Sequence, residues 1–228
     1  MNIDNERNMN IDSKMARGIR LVDRDMLIFR EIDRWRVVQG RHIRKLTGFD
    51  GQRACDRRLR KLIEAGYIKR KRVLYGVAGI YLNTSKAQMK MGLSTRSRKI
   101  RVEQIMHDIA VVDTAIFFNK RYEIAFDSMK TEIESHRLDG FGIRKHRPDF
   151  VFTRNKKLIC VEVELSLKAR DRFEKIIKDN FLAYEKQIWI VPDMDSKIAR
   201  ILANNKTTYP NIKILELNEM QAVVQDDA

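Results

Sequence analysis

The chain has little of what would staple it, break it or bury it in lipid. It holds two cysteines, Cys55 and Cys160. Each sits inside an apolar pattern in a different half, so both are expected to be reduced core residues rather than a disulfide. Four histidines show no zinc spacing with either cysteine. Only three prolines and ten glycines interrupt 228 residues of which 43% are hydrophobic, which excludes a low-complexity or generally disordered chain. No apolar run approaches the ~20 residues of a membrane span. The N-terminal dozen is polar and of mixed sign, unlike a secretion signal or an Arg-rich transit peptide, and a cytoplasmic protein is expected.

The most informative shortage is of acid in the first half. Met1–Ile100 carries 25 Lys and Arg against 10 Asp and Glu, whereas Arg101–Ala228 carries 21 of each. The whole excess of +15 therefore lies in the first hundred residues. A field of this kind attracts polyanions, because Lys and Arg displace condensed counterions from phosphates. Two units are expected. The first, 23–91, follows a tail at 1–22; a polar linker at 92–100 leads to the second, 101–220, and a frayed end spans 221–228.

In the first unit, a helical pattern opens at Asp23, a plausible N-cap, and runs through Met26, Leu27, Ile28 and Ile32 to Val38. A short helix follows over Arg41–Leu46. A third, capped by Asp50, ends at Gly66. Cys55, Leu59, Leu62 and Ile63 form its core stripe; Arg53, Arg57, Arg60 and Lys61 populate the opposite side, with Arg58 flanking. Two β-prone runs around a Gly-containing turn then predict a hairpin that carries Lys69, Arg70, Lys71 and Arg72 and extends to Ser85. Helix, helix, helix, basic hairpin is the order of a winged helix-turn-helix. Such a helix fits the major groove, and the hairpin reaches phosphates or the minor groove. A solvated face normally mixes signs, and this one is almost purely cationic. Duplex DNA is the expected partner. RNA is disfavoured, since neither an RNP-like aromatic strand nor a GXXG clamp is present. Met89 and Met91 are expected to be adaptable core or hinge packing.

In the second unit, Ile105, Ile109, Val112 and Ile116 predict one buried stripe on a helix over Arg101–Phe118. Strands are expected at Tyr122–Phe126, Met129–Glu134, Phe150–Thr153, Leu158–Leu165, Gln187–Val191 and Ile212–Leu217. Helices are expected from Ser166 to Tyr184 and over Ser196–Ala203, and a loop over Leu138–His146. Alternation along Leu158–Leu165 turns Ile159, Val161, Val163 and Leu165 one way and Cys160, Glu162 and Glu164 the other. Asp149 heads the partner strand. Three carboxylates this close repel unless something cationic sits between them. A Mg²⁺ ion suits such an oxygen shell and would permit phosphoryl chemistry. The alternative is a scaffold whose carboxylates are satisfied as ion pairs by Arg147, Arg144 or Lys168. Trp35, Trp189 and His107 are expected to be structural.

Helix, three strands, helix, strand, with Pro148–Asp149 opening one strand and Glu162–Val163–Glu164 closing the next, resembles the PD-(D/E)XK nuclease superfamily. A winged helix followed by such a domain resembles, more narrowly, the replication-relaxation family of bacterial plasmids and other mobile elements. His107–Asp108, Glu132 and Glu134, Ser166, Lys168 and Arg172 also match, and the resemblance spans about Asp23 to Arg200. It implies an α/β (α+β) chain, with Asp149 and Glu162 as metal ligands and Glu134, in preference to Glu132, completing the set. The superfamily's usual lysine position holds Glu164; some active members carry Glu there, and in others the lysine migrates to the following helix, where Lys168 or Lys175 would serve. The leading expectation is a double-stranded DNA-binding protein acting in plasmid replication, transfer or transcriptional regulation. Its second unit would serve dimerisation, contacts with replication or relaxosome proteins, or a further DNA surface. The rival is a Mg²⁺-dependent endonuclease with Asp149, Glu162, Glu164 and Lys168 as catalytic residues. A protein–protein adaptor is the third possibility.

Overall fold

The structure, a computed structural model, describes residues 19–94, 100–140, 142 and 145–225. Among the described residues nine α-helices and two sheets make a mixed α/β arrangement. No helix among the described residues is long and apolar enough to cross a membrane. Residues 1–18 of the expected tail lie outside the described residues, whereas Ile19 and Leu21, within that expected tail, pack against the core.

In the first half, α1 (Asp23–Arg34) buries Ile28, Phe29 and Ile32. Its cap is not Asp23: the carboxylate that accepts the free Val22 N–H, at 2.8 Å, belongs to Asp25. The helix also stops short of Val38. Arg36 adopts a left-handed conformation (φ 62°) and reverses the chain. Val37 and Val38 are then wholly buried. As β-branched neighbours they bury better in a sheet than on successive faces of a helix. Strand β1 (Val38–Gln39) leads into α2 (Gly40–Leu46) and α3 (Gln52–Glu64). The residue preceding α3 is Gly51 rather than Asp50, with no side-chain cap bond. Gly66 (φ 74°) closes α3 while Tyr67 N–H returns to Leu62 O at 2.9 Å. Strands β2 (Ile68–Lys71) and β3 (Ile80–Asn83) complete an antiparallel sheet in the order β1–β3–β2. The expected run to Ser85 ends at Asn83. Thr84 Oγ1 donates to Gly66 O at 2.7 Å, and α4 (Ser85–Lys90) begins. Met91 packs on the core, but Met89 is exposed, contrary to the expected packing role. Residues 95–99 of the expected linker lie outside the described residues.

The second half is organised by α5 (Ile105–Tyr122). Its Ile105, Ile109, Val112 and Ile116 are buried as their spacing requires, yet so are Asp108, Asp113 and Phe117 on other sides. The helix is enclosed because it packs on α2 and β1 as well as on the larger sheet. No strand forms at Tyr122–Phe126: Tyr122 is the last turn of α5, and Glu123 (φ 57°) ends it in a left-handed cap. Strand β4 is only Lys130–Thr131, followed by α6 (Glu132–Asp139). Thr131 and Glu134 exchange hydrogen bonds in a capping box that converts an expected strand into a helix start.

Strands β5 (Phe150–Arg154) and β6 (Lys157–Val163) form the expected hairpin, with Asn155 and Lys156 both at positive φ in its two-residue turn. Then come α7 (Arg170–Ala183), β7 (Lys186–Val191), α8 (Lys197–Asn205), β8 (Ile212–Glu216) and α9 (Leu217–Gln225). Helix α7 starts after Ala169, not at Ser166. The helix expected over Ser196–Ala203 forms as α8, and Ser196 caps it, accepting Ala199 N–H at 3.2 Å. The expected frayed end is helical to Gln225, and Met220 is buried. The sheet order is β4–β5–β6–β7–β8, antiparallel up to β6 and parallel beyond.

One face of this sheet packs through Phe150, Phe152, Val161, Val163, Ile188 and Ile190 into a cluster that also contains Ile28, Phe29, Trp35, Val38 and Leu59. The two halves therefore share a single core. Trp35 shows it directly: it stands edge-on to Phe150 at 5.9 Å and donates to Glu31 Oε2 at 2.9 Å. The other face gathers Trp189, Val191 and Ile214 against Phe173, Ile176 and Ile177 of α7 and Leu202 of α8. Cys55 and Cys160 are both buried free thiols, and burial pushes Cys55 up to about 12.

Candidate functional site

Two surfaces carry the chemistry. The first is the outer face of α3 with the adjoining hairpin. Cys55, Leu59 and Leu62 face inward, which leaves Arg53, Arg57, Arg60 and Lys61 exposed; Ile63, expected in the core stripe, is also exposed. On β2 Ile68 is buried, and Lys69, Arg70 and Lys71, with Arg72 just beyond the strand, are exposed. Among the described residues none of these eight cations forms an ion pair with a carboxylate. Arg58 behaves differently. Its Nε donates to Asp25 Oδ1 at 2.7 Å and its Nη2 to Asp25 Oδ2 and, at 3.0 Å, to Arg20 O. It neutralises a fully buried carboxylate and is a structural residue, not part of the free surface.

The hairpin is held firmly. Val73, Leu74 and Val77 beyond β2 pack against Val37, Ile80, Ile105 and Ile109, while Tyr75 stands fully exposed between them. Arg70 lies over Gly79, where a Cβ would come within 2.8 Å of its Nε and oblige that side chain to shift. The orientation of the first half is fixed through α2. Buried Asp113 of α5 accepts from Arg41 Nη1 and Nη2 at 2.6 and 2.8 Å, and lies 3.1 Å from His42 Nε2.

The second surface is a cleft of about 610 Å³ where the first half meets the end of the large sheet. Asp149, Glu162, Glu164 and Lys168 all line it, as do His107, His146, Arg36, Glu132, Arg172 and Lys175. The hairpin register accounts for the convergence: Phe150 pairs with Val161, so Asp149 reaches the end of β6, where its Oδ2 accepts Val163 N–H at 2.7 Å. Glu134, the expected third metal ligand, is not there. Its carboxylate closes the α6 capping box and meets Arg34 Nε at 3.2 Å; Glu132 takes the cleft position instead.

Each inward carboxylate has a partner. His107 Nε2 lies 3.3 Å from Asp149 Oδ1, and its Nδ1 lies 3.4 Å from Asp108 Oδ1. Burial opposes charging of His107, but Asp149 and Asp108 outweigh it and raise its pKa to about 10. Burial likewise works against the Asp149 carboxylate, and His107 reverses that, holding it below the usual range. Glu162 Oε1 meets His146 Nε2 at 2.5 Å and Asn180 Nδ2 at 2.8 Å. His146 is raised despite its burial, through that contact. Glu164, deeply buried, is raised by burial although it accepts from Lys168 Nζ. Arg36 bridges Asp108 and Glu132, at 3.4 and 2.8 Å, so the first half contributes a side chain to this cleft.

The ion-pair alternative read from the sequence is thus realised by Lys168. Arg147 instead donates to Asp139 Oδ2 at 2.7 Å, and Arg144 lies outside the described residues. The residues do not fit Mg²⁺ as placed: among the described residues no group of three or more His, Cys, Asp or Glu side chains is arranged to hold a metal ion. Sequence reasoning missed His146 and Arg36, and it treated His107 as a structural residue. No spacing signal marks His146, and Arg36 arrives only through its left-handed turn. Comparison of the chain with protein families, curated proteins and solved structures finds no match.

Proposed function

We propose that the chain is a double-stranded DNA-binding protein that docks α3 into the major groove and lays the β2–β3 hairpin along the adjacent backbone or minor groove. The observation that carries this reading is the set of eight exposed cations on α3 and the hairpin that, among the described residues, have no carboxylate partner. The order helix, strand, helix, helix, strand, strand, with its antiparallel three-stranded sheet, supports a winged helix-turn-helix and makes α3 the recognition helix. The shared core and the Arg41–Asp113 contact support a rigid presentation of that surface. By its resemblance to the replication-relaxation family, such a protein acts in replication, transfer or transcriptional control of a bacterial mobile element.

The test is a gel-shift series against a site selected from random duplexes. Arg57→Ala with Arg60→Ala should cost ~2–6 kcal/mol if each side chain reads a base, and less, uniformly across sequences, if both touch phosphate. Unchanged affinity removes α3 from the interface. A nuclease cleft is the second reading, favoured by the convergence of Asp149, Glu162, Glu164 and Lys168. Nicking of supercoiled or branched DNA that is lost in Glu162→Gln would establish it; no nicking of any substrate would retire it.

A further inference from the structure

Three carboxylates meet in the cleft without any one of them facing it bare. Asp149 spends Oδ2 on Val163 N–H and turns Oδ1 to His107. Both His107 nitrogens face carboxylate oxygens, so both serve as N–H donors. Glu162 Oε1 faces two donors, His146 Nε2 and Asn180 Nδ2. Glu164 accepts from Lys168 Nζ. The backbone makes this last contact possible. Residues 164–169 are irregular because α7 begins only at Arg170, and the irregular segment lets Lys168 fold back over a carboxylate four residues earlier. Space is not limiting, since the cleft encloses about 610 Å³.

We propose that Lys168, His146 and His107 act as built-in counter-ions in place of a divalent metal, so that the cleft is a metal-independent site. Acidic groups packed this closely need a cation between them. Here the chain supplies it from three directions: the segment after β6, the segment before β5 and helix α5. A divalent ion entering the cleft must displace Lys168 from Glu164 and His146 from Glu162. It would then sit beside the fixed positive charges it failed to remove, at a Coulombic cost. The inference stands apart from the DNA-binding reading, which concerns α3 and the β2–β3 hairpin of the first half and does not involve these residues.

The experiment is titration of the full-length protein with Mn²⁺, followed by the electron paramagnetic resonance of free Mn²⁺ and by thermal unfolding in 10 mM Mn²⁺ or Mg²⁺. Wild type is expected to leave the free Mn²⁺ signal undiminished and to shift in Tm by less than about 1 °C, whereas a site filled at a hundred times its Kd would raise Tm by roughly 5–10 °C. Lys168→Gln with His146→Gln should gain Mn²⁺ affinity by roughly tenfold or more, because two displaced cations no longer compete. Saturable Mn²⁺ binding by wild type that is lost in Asp149→Asn overturns the proposal. So does a folded double variant that binds Mn²⁺ no better than wild type. If the double variant does not fold, the wild-type titration and the single Lys168→Gln variant decide the matter in the same way.

Discussion

Asp113→Ala is expected to be among the most damaging single substitutions in this chain. Its carboxylate is wholly buried on α5 and receives three N–H groups from α2. The proton arrangement is legible: Gln39 N–H donates to His42 Nδ1 at 3.1 Å, so Nε2 carries the hydrogen and donates to Asp113. Burial lowers the His42 pKa, consistent with a neutral ring. Removing the carboxylate strands that buried N–H, which costs ~1–3 kcal/mol. It also leaves Arg41 unpaired, but Arg41 is 36% exposed and keeps Gln39 Oε1 at 2.8 Å, so its share is smaller than the ~3–5 kcal/mol of a fully buried broken pair. A total of ~3 kcal/mol follows, or roughly 6–12 °C in Tm for a chain of this size. Arg41→Ala leaves His42 its acceptor but strips the buried Asp113 carboxylate of the guanidinium that balances it, so it too should cost ~2–4 kcal/mol. Urea unfolding of the two single variants and the double variant measures the coupling. A loss below ~1 kcal/mol for Asp113→Ala, or single-variant losses that simply add in the double variant, refutes the argument.

Other consequences separate structure from binding. Arg58→Ala should lower stability by ~2–4 kcal/mol, since it bares the buried Asp25 carboxylate, while a folded fraction retains its salt-dependent DNA binding; circular dichroism melts and anisotropy read the two effects. For His107 the folded pKa of about 10 lies above its unfolded value of 6.5, so its stabilisation is complete below pH 6.5 and disappears as pH rises through about 10. Asp149 and Asp108 face it, and Arg36 sits against Asp108. Wild type minus His107→Gln should therefore show a stability slope between pH 7 and 9 of at most ~1.36 kcal/mol per pH unit, reduced by screening at a side chain 31% exposed; a flat difference contradicts the assignment. Glu134→Ala should cost ~1 kcal/mol through the lost α6 cap and leave cleft chemistry untouched, whereas Glu132 variants alter the cleft.

Much of the second half was legible because its elements are driven by local pattern. The Phe150–Thr153 and Leu158–Leu165 alternation fixed the hairpin, and the hairpin fixed where Asp149 meets Glu162 and Glu164. Ser196 and Gly66 marked their helix ends through caps that depend on nearby residues alone. Failures fall where distant packing decided the outcome. Trp35–Val38 continues a helical pattern, but burial against Tyr81 and α5 makes Val38 a strand residue. Thr131–Glu134 carried a readable capping box that the β-prone flanking residues masked. Arg58 looked like one more surface cation, because its partner Asp25 lies 33 residues away. His146 and Arg36 were invisible as cleft residues for the same reason: the chain brings them to the carboxylates only after both halves have folded onto one core.

The central claim is that α3 and the hairpin form a phosphate-facing surface, and its most direct test is the salt dependence of duplex binding. With six to eight of the exposed cations engaged, log K against log salt for a labelled random duplex should fall with a slope of about −5 to −7. Replacing Lys69, Arg70, Lys71 and Arg72 together with alanine should flatten that slope by about 3–4. A wild-type slope near zero, or a slope that the fourfold variant leaves unchanged, would contradict the account.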